Sequence, residues 1–239
     1  ATSTIPFYYD INKPTLSETE IGEAGKVSGG TIGSFTFKGE ASDTNGLLNN
    51  GTGAVIIRKA GQSDVTVNVA GDGSWQYAVN TTGLSSGDHV WTIIAKDKTG
   101  KSEREASITR TVKIDKVAPV LTEPTLVTTG TEDDAGVVWF NTGAIKVSVK
   151  ASDTGAGATG VSNVFYTTDA APYANRQALS PIGDKFSGTA IVGEGSNSLR
   201  FIAVDGAGNE TVSSPIAINV DSTAPVVTFS ATSNLMDEN

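Results

Sequence analysis

Short stretches in which apolar and polar residues alternate recur along the whole chain, separated by turn residues. Phe35-Thr-Phe37-Lys-Gly39-Glu-Ala41, Trp91-Thr-Ile93-Ile-Ala95 and Leu199-Arg-Phe201-Ile-Ala203 each put their odd-numbered side chains on one face. A period of two predicts half-buried strands. Apolar runs such as Ala54-Val55-Ile56-Ile57 and Thr92-Ile93-Ile94-Ala95 last only a few residues, far short of the ~20 that span a bilayer as a helix. No membrane span is expected, and no long helical period is present. Abundant Gly, Thr, Ser, Asn and Val in short segments point to an all-β chain.

The pattern repeats. Asp10-Ile-Asn-Lys-Pro14, Asp115-Lys-Val-Ala-Pro119 and Asp221-Ser-Thr-Ala-Pro225 share an Asp-x-x-x-Pro frame, spaced 105 and 106 residues apart. The preceding residues keep the register: Phe7 and Tyr9 correspond to Val112 and Ile114, and to Ile218 and Val220. Within that period, Phe35 to Asp43 aligns with Ile145 to Asp153, both ending in Ala-Ser-Asp-Thr. Trp91 to Asp97 aligns with Leu199 to Asp205, followed by Asp97-Lys-Thr-Gly100 and Asp205-Gly-Ala-Gly208.

Residues 11–115 and 116–221 therefore read as two copies of one module. Residues 1–10 read as the last strand of a preceding copy and 222–239 as the start of a following one, a stretch of a longer array. About seven short strands in ~100 residues, with turn signals every 8 to 12, fit tandem immunoglobulin-like β-sandwich domains. Neither copy has the cysteine pair of antibody domains, so the inward faces must supply the stability.

Composition narrows the chemistry. The chain has 239 residues and a net charge of -9, the wrong sign for neutralising phosphates, so nucleic acid is not an expected partner. Zero cysteines and a single histidine, His89, remove thiolate and multi-histidine metal sites and cysteine nucleophiles. His89 reads as a solvated edge residue. Trp75, Tyr77, Trp91, Trp139 and Phe140 could stack on sugars, but their alternation with polar residues favours core filling. Glu132-Asp133-Asp134 could hold a cation, although a solvated loop is the simpler reading. No catalytic role is expected.

Gly73-Ser-Trp75-Gln-Tyr77, the run Leu84 to Asp97, Val204-Asp205-Gly-Ala-Gly-Asn209 and Val220-Asp221-Ser-Thr-Ala-Pro225 carry a resemblance to tandem bacterial Ig-like repeats. The first module departs from that pattern at Asp97-Lys-Thr-Gly-Lys101, and the second has Lys185 to Val192 in place of the Gly-x-Trp segment. Members of this family are usually stalk repeats of large bacterial surface or secreted adhesins, some with Ca²⁺ at domain junctions. The resemblance implies an extracellular or cell-surface spacer in a monomeric chain. Its partners would be neighbouring repeats, with other domains reaching any host or surface receptor.

Immunoglobulin topology turns the repeated aspartates into two candidate groups. The loops after the second and sixth strands lie at the end where the linker enters, so Asp43 and Asp97 should meet Asp10. By the same argument Asp153 and Asp205 should meet Asp115. Ca²⁺ takes six to eight oxygen ligands, which three carboxylates, loop carbonyls and water can supply. The competing reading is plain turn chemistry, because aspartate readily accepts bonds from nearby backbone N–H groups. Lys98 and Lys101 oppose a cation at the Asp10 end.

Three roles compete: a calcium-rigidified stalk, a module that binds glycan or protein through loops or an exposed sheet, and a carboxylate glycosidase needing two acids across a cleft. The stalk explains the repeat, the linkers and the acidity together.

Overall fold

The computed structural model describes residues 10–19, 26–28, 34–170 and 172–229, with backbone alone for 26–28 and 34. The chain is all-β and forms two β-sandwiches. The expected N-terminal strand, Ile5 to Tyr9, lies outside the described residues. Val226, Val227 and Phe229 are exposed and form no strand.

The first sandwich is built from β1 (Thr15–Glu18), β2 (Lys26–Ser28), β3 (Ser34–Ser42), β4 (Val55–Lys59), β5 (Val65–Val67), β6 (Ser74–Asn80), β7 (Gly87–Lys96) and β8 (Glu105–Asp115). Its sheets run β1-β3-β6 and β2-β8-β7-β4-β5. The second uses β9 (Val120–Leu126), β10 (Thr131–Glu132), β11 (Val138–Phe140), β12 (Ala144–Ser152), β13 (Val161–Thr167), β14 (Gln177–Ala178), β15 (Ser180–Ile182), β16 (Lys185–Ile191), β17 (Gly195–Asp205), β18 (Glu210–Val212) and β19 (Ile216–Val220). Its sheets run β15-β16-β12-β9 and β10-β11-β19-β17-β13-β14, with β18 beside β17.

The two strand orders match. In each sandwich the last strand, β8 or β19, pairs antiparallel with the long strand before it and parallel with a short early strand, β2 or β11. The opening segment is thus shared between both sheets: β1 and β9 pair with one, β2 and β11 with the other.

Burial follows the alternation. Phe35, Phe37, Trp91, Ile93, Val112 and Ile114 line the first core, and Ile145, Val147, Leu199, Phe201, Ile218 and Val220 lie buried at the matching places of the second sandwich, where Val149 also fills the place of Gly39. Phe35, Phe37 and Trp91 meet edge to face, with ring centroids 5.2 to 5.7 Å apart, the arrangement that aromatic quadrupoles favour. Alternation misses several positions: Ile94 and Ile202 occupy equivalent positions on the opposite face yet are also buried, as are Ile56 and Ser148. In place of Trp75 opposite Gly39, the second sandwich sets Phe186 opposite Val149.

By contacts the chain separates into two compact units. One comprises the chain up to Leu121 with Ala151–Val164 and Ala203–Thr211; the other comprises Thr122–Lys150, Phe165–Ile202 and the chain from Val212 onward. Asp115, Asp153 and Asp205 all belong to the first.

Candidate metal centre

Asp115 closes β8, Asp153 follows β12 directly, and Asp205 closes β17. Each strand delivers its carboxylate where the backbone leaves the ladder and its amides become free to donate. One oxygen from each lies within 4.8 Å of the others, with Asp115 and Asp205 buried and Asp153 half-buried.

Neutral donors surround the three. Asp115 Oδ1 accepts the Val117 N–H at 3.1 Å, and its Oδ2 accepts the Thr159 N–H at 2.9 Å and the Thr159 hydroxyl at 2.8 Å. Asp153 Oδ2 accepts the N–H groups of Thr159 at 3.0 Å and Gly160 at 2.7 Å, while its Oδ1 is buried without a partner. Asp205 Oδ1 accepts the N–H groups of Ala207 and Asn209, both at 2.8 Å, and its Oδ2 accepts the Asn209 side-chain amide at 2.7 Å. These donors are all backbone amides, a hydroxyl or a carboxamide, so the hydrogen bonds bring no positive charge. Two carboxylates about 4.8 Å apart repel by roughly 3 to 4 kcal/mol at an effective dielectric near 20.

Glycine brings the Asp153 loop close. Gly157 has φ +78°, and a Cβ there would stand 2.2 Å from the Ile114 carbonyl oxygen and 2.5 Å from the Gly87 nitrogen. Only a residue without a side chain fits that backbone and that approach.

The structure also locates the earlier aspartates. Asp10 Oδ1 accepts the Asn12 N–H, Asp43 Oδ1 accepts the Asn45 N–H, and Asp97 Oδ1 accepts the Thr99 N–H, the Thr99 hydroxyl and the Gly100 N–H. The Oδ2 atom of all three is buried and without a partner. The Asp43 and Asp97 loops join through the Leu47–Asp97 bridge and the Lys98 N–H bonded to the Gly46 carbonyl at 2.9 Å. Among the described residues, no second trio of carboxylates meets the 4.8 Å spacing of Asp115, Asp153 and Asp205. Lys98 and Lys101 are exposed.

Two residues of the Asp115 group, Thr159 and Asn209, are not among the site residues expected from the sequence, although Asn209 stands in the Asp205-Gly-Ala-Gly-Asn209 signature. The signal for Asn209 was its place four residues after Asp205, in reach of that carboxylate across a tight turn. Thr159 carried no signal beyond standing before a glycine.

The other candidates are occupied structurally. Asp133 holds its own loop through the Ala135 and Val137 N–H groups and the Trp139 indole N–H. Those bonds, that of Val137 foremost, hold the Asp133 carboxyl below the ordinary aspartate range. His89 is half-buried beside Trp91, with Nε2 2.8 Å from the Ser85 carbonyl oxygen. Trp75, Trp91 and Phe140 are core residues. An open groove of about 740 Å³ in the first sandwich is lined by Lys38, Glu40, Asn68, Trp75 and Gln76 among others. Trp75 is only 3% exposed, so it presents no ring face for stacking.

Two sheet pairs with this strand order define tandem immunoglobulin- or fibronectin-III-like β-sandwich modules. No protein-family model and no curated protein sequence matches the chain. Among solved structures, it is similar to the fibronectin(III)-like modules of CbhA from Clostridium thermocellum, at 14% identity and a TM-score of 0.43, covering 87% of this chain and 92% of that one. It is also similar to the N-terminal Ig1-2 module of the Drosophila receptor protein tyrosine phosphatase DLAR, at 15% identity and a TM-score of 0.33, covering 88% of this chain and all of the other, 100%. Among the described residues, no helix is long and apolar enough to cross a membrane.

Proposed function

We propose that the chain is a pair of spacer modules from the stalk of a large bacterial surface or secreted adhesin, and that calcium fastens its linkers. The observation that carries this reading is Asp115. It is a linker residue, fully buried, gathered with Asp153 and Asp205 into a group whose hydrogen-bonding partners are all neutral.

The donor set fits a hard cation. All the available ligand atoms are oxygens, Asp153 Oδ1 is buried with no partner, and neither nitrogen nor sulfur is needed for six to eight oxygen ligands. Asp115, Asp153 and Asp205 would hold the ion, which supplies the positive charge that the hydrogen bonds lack. The chain's own part is to keep these carboxylates close: Thr159 spans Asp115 and Asp153, and Asn209 spans Asp205 and the linker. The role is mechanical and needs no reaction. Support for an extracellular setting comes from the Asp-Gly-Ala-Gly-Asn209 and Val220-Asp-Ser-Thr-Ala-Pro225 signatures, and millimolar extracellular Ca²⁺ suits sites of ~10⁻⁴ to 10⁻³ M.

Terbium luminescence tests the reading. Tb³⁺ bound near Asp115 should be displaced by millimolar Ca²⁺ in the parent chain and bind more weakly in Asp153→Asn. Equal binding in both would remove this trio from the account.

A further inference from the structure

The Asn209 side-chain amide does more than bond Asp205. The same Nδ2 lies 3.1 Å from the Asp115 carbonyl oxygen and 3.4 Å from the Val117 carbonyl oxygen, and Asn209 is 8% exposed. One buried group therefore ties the Asp205 loop to two carbonyls of the linker. Two residues on, the Thr211 hydroxyl donates to the Pro119 carbonyl, and Lys116 is held by its N–H on Ser86 Oγ. None of these bonds requires a cation.

The first module shows what happens without that group. The Lys98 N–H to Gly46 carbonyl bond has its counterpart in the Gly206 N–H to Gly160 carbonyl bond, both 2.9 Å. That pairing sets Lys98 against Gly206 and therefore Lys101 against Asn209. Lys101 is exposed, and at that end Asp10, Asp43 and Asp97 each keep a buried, unpartnered oxygen, with Asp97 fully buried. A buried charged oxygen with no donor is costly unless an ion satisfies it.

We propose that Asn209 is a built-in clasp that holds the linker Asp115–Pro119 to the Asp205 loop when no cation is bound, whereas the Asp10 linker, with Lys101 in that place, lacks the clasp and depends on a cation for order beyond its Asn12 turn. The inference deepens the calcium reading by separating what the ion does from what the carboxamide does. Asn209 is a positioning residue: it touches the linker backbone and one carboxylate, and its effect is on linker order.

Backbone ¹⁵N relaxation on the full 239-residue chain tests it. In excess chelator, the amides of Lys116 and Val117 should keep order parameters near ~0.85, while those of Asn12 and Lys13 fall below ~0.6. Asn209→Ala should lose order at Val117 in chelator. Asn209→Asp, which removes the donor and adds a carboxylate, should lose it too and regain it in millimolar Ca²⁺; this variant carries the test if the alanine chain does not fold. Unchanged order at Val117 in the variants, or equal loss at Val117 and Asn12 in the parent chain, would overturn the clasp. If Ca²⁺ changes neither linker in the parent chain, the calcium reading and the Asp10 half of the proposal fail. The Asn209 half would then still be decided by the variants in chelator.

Discussion

The linkers at Asp10 and Asp115 begin with the same turn. In each, Oδ1 of the aspartate accepts the N–H two residues on, from Asn12 or Val117, at 3.1 Å, and Asp221 repeats the bond to Thr223. They differ at the second oxygen. Asp115 Oδ2 is bonded to the N–H and hydroxyl of Thr159, while Asp10 Oδ2 is buried with nothing to accept. Turn chemistry and metal chemistry are therefore not rival accounts of these aspartates. One oxygen shapes the linker, and the other is bonded to a neighbouring loop at Asp115 and left without a donor at Asp10.

The comparison can be strained first at the cores beneath the two sites. Phe37→Ala in the first sandwich and Phe201→Ala in the second remove fully buried rings and should each destabilise by about 3 to 5 kcal/mol. Urea melts followed by Trp91 for the first sandwich and Trp139 for the second would show whether each core supports only its own module. Equal movement of both probes in either variant would mean that the sandwiches unfold as one.

Gly157→Ala should have the next largest effect. It forces a Cβ into the Ile114 carbonyl at a φ of +78°, at a cost on the order of 2 kcal/mol. The Asp153 loop would then stand off from Asp115, and terbium binding should weaken on the order of tenfold while the Asp10 end is untouched.

Ligand removal comes third. With a dissociation constant near ~10⁻⁴ M, 1 mM Ca²⁺ stabilises by about 1.4 kcal/mol, so a chelator should lower the melting temperature by a few degrees. The chain with Asp43→Asn and Asp97→Asn should respond less than the parent if the Asp10 end is the more cation-dependent.

The smallest effect is a pH response away from both trios. Bonds from Val137 and Trp139 depress the Asp133 carboxyl in the folded chain. A depressed acid stabilises the fold above its unfolded value, and that contribution fades as pH falls through the lower folded value, below about pH 4. Trp139 emission should shift in that window and stay flat in Asp133→Asn.

Much of this was legible in the residues. Alternation in β3, β7, β12 and β17 identified the buried faces because each strand has one wet side, and the Ala-Ser-Asp-Thr repeats gave the register. Ile94 and Ile202 were not legible, because alternation assigns their face to solvent while the fold buries it. The convergence of Asp115, Asp153 and Asp205 followed from sandwich topology, since the ends of β8, β12 and β17, each from a different sheet, bring the three carboxylates together. Thr159 and Asn209 were missed for a different reason: a hydrogen-bond donor to a carboxylate is recognisable only once the loop geometry is known. The difference between the two linkers lay in two places, Asn209 against Lys101 and Thr159 against Asn45, and the meaning of each depends on where that side chain can reach.

Calorimetric titration of Ca²⁺ into the parent chain and into Asp153→Asn tests the central claim most directly. Binding heat with a dissociation constant between ~10⁻⁴ and 10⁻³ M, reduced but not abolished in Asp153→Asn because the Asp10 group remains, is the expected result. No heat in the parent chain, with linker order at Asn12 identical in calcium and chelator, would contradict it and leave these aspartates to turn formation alone.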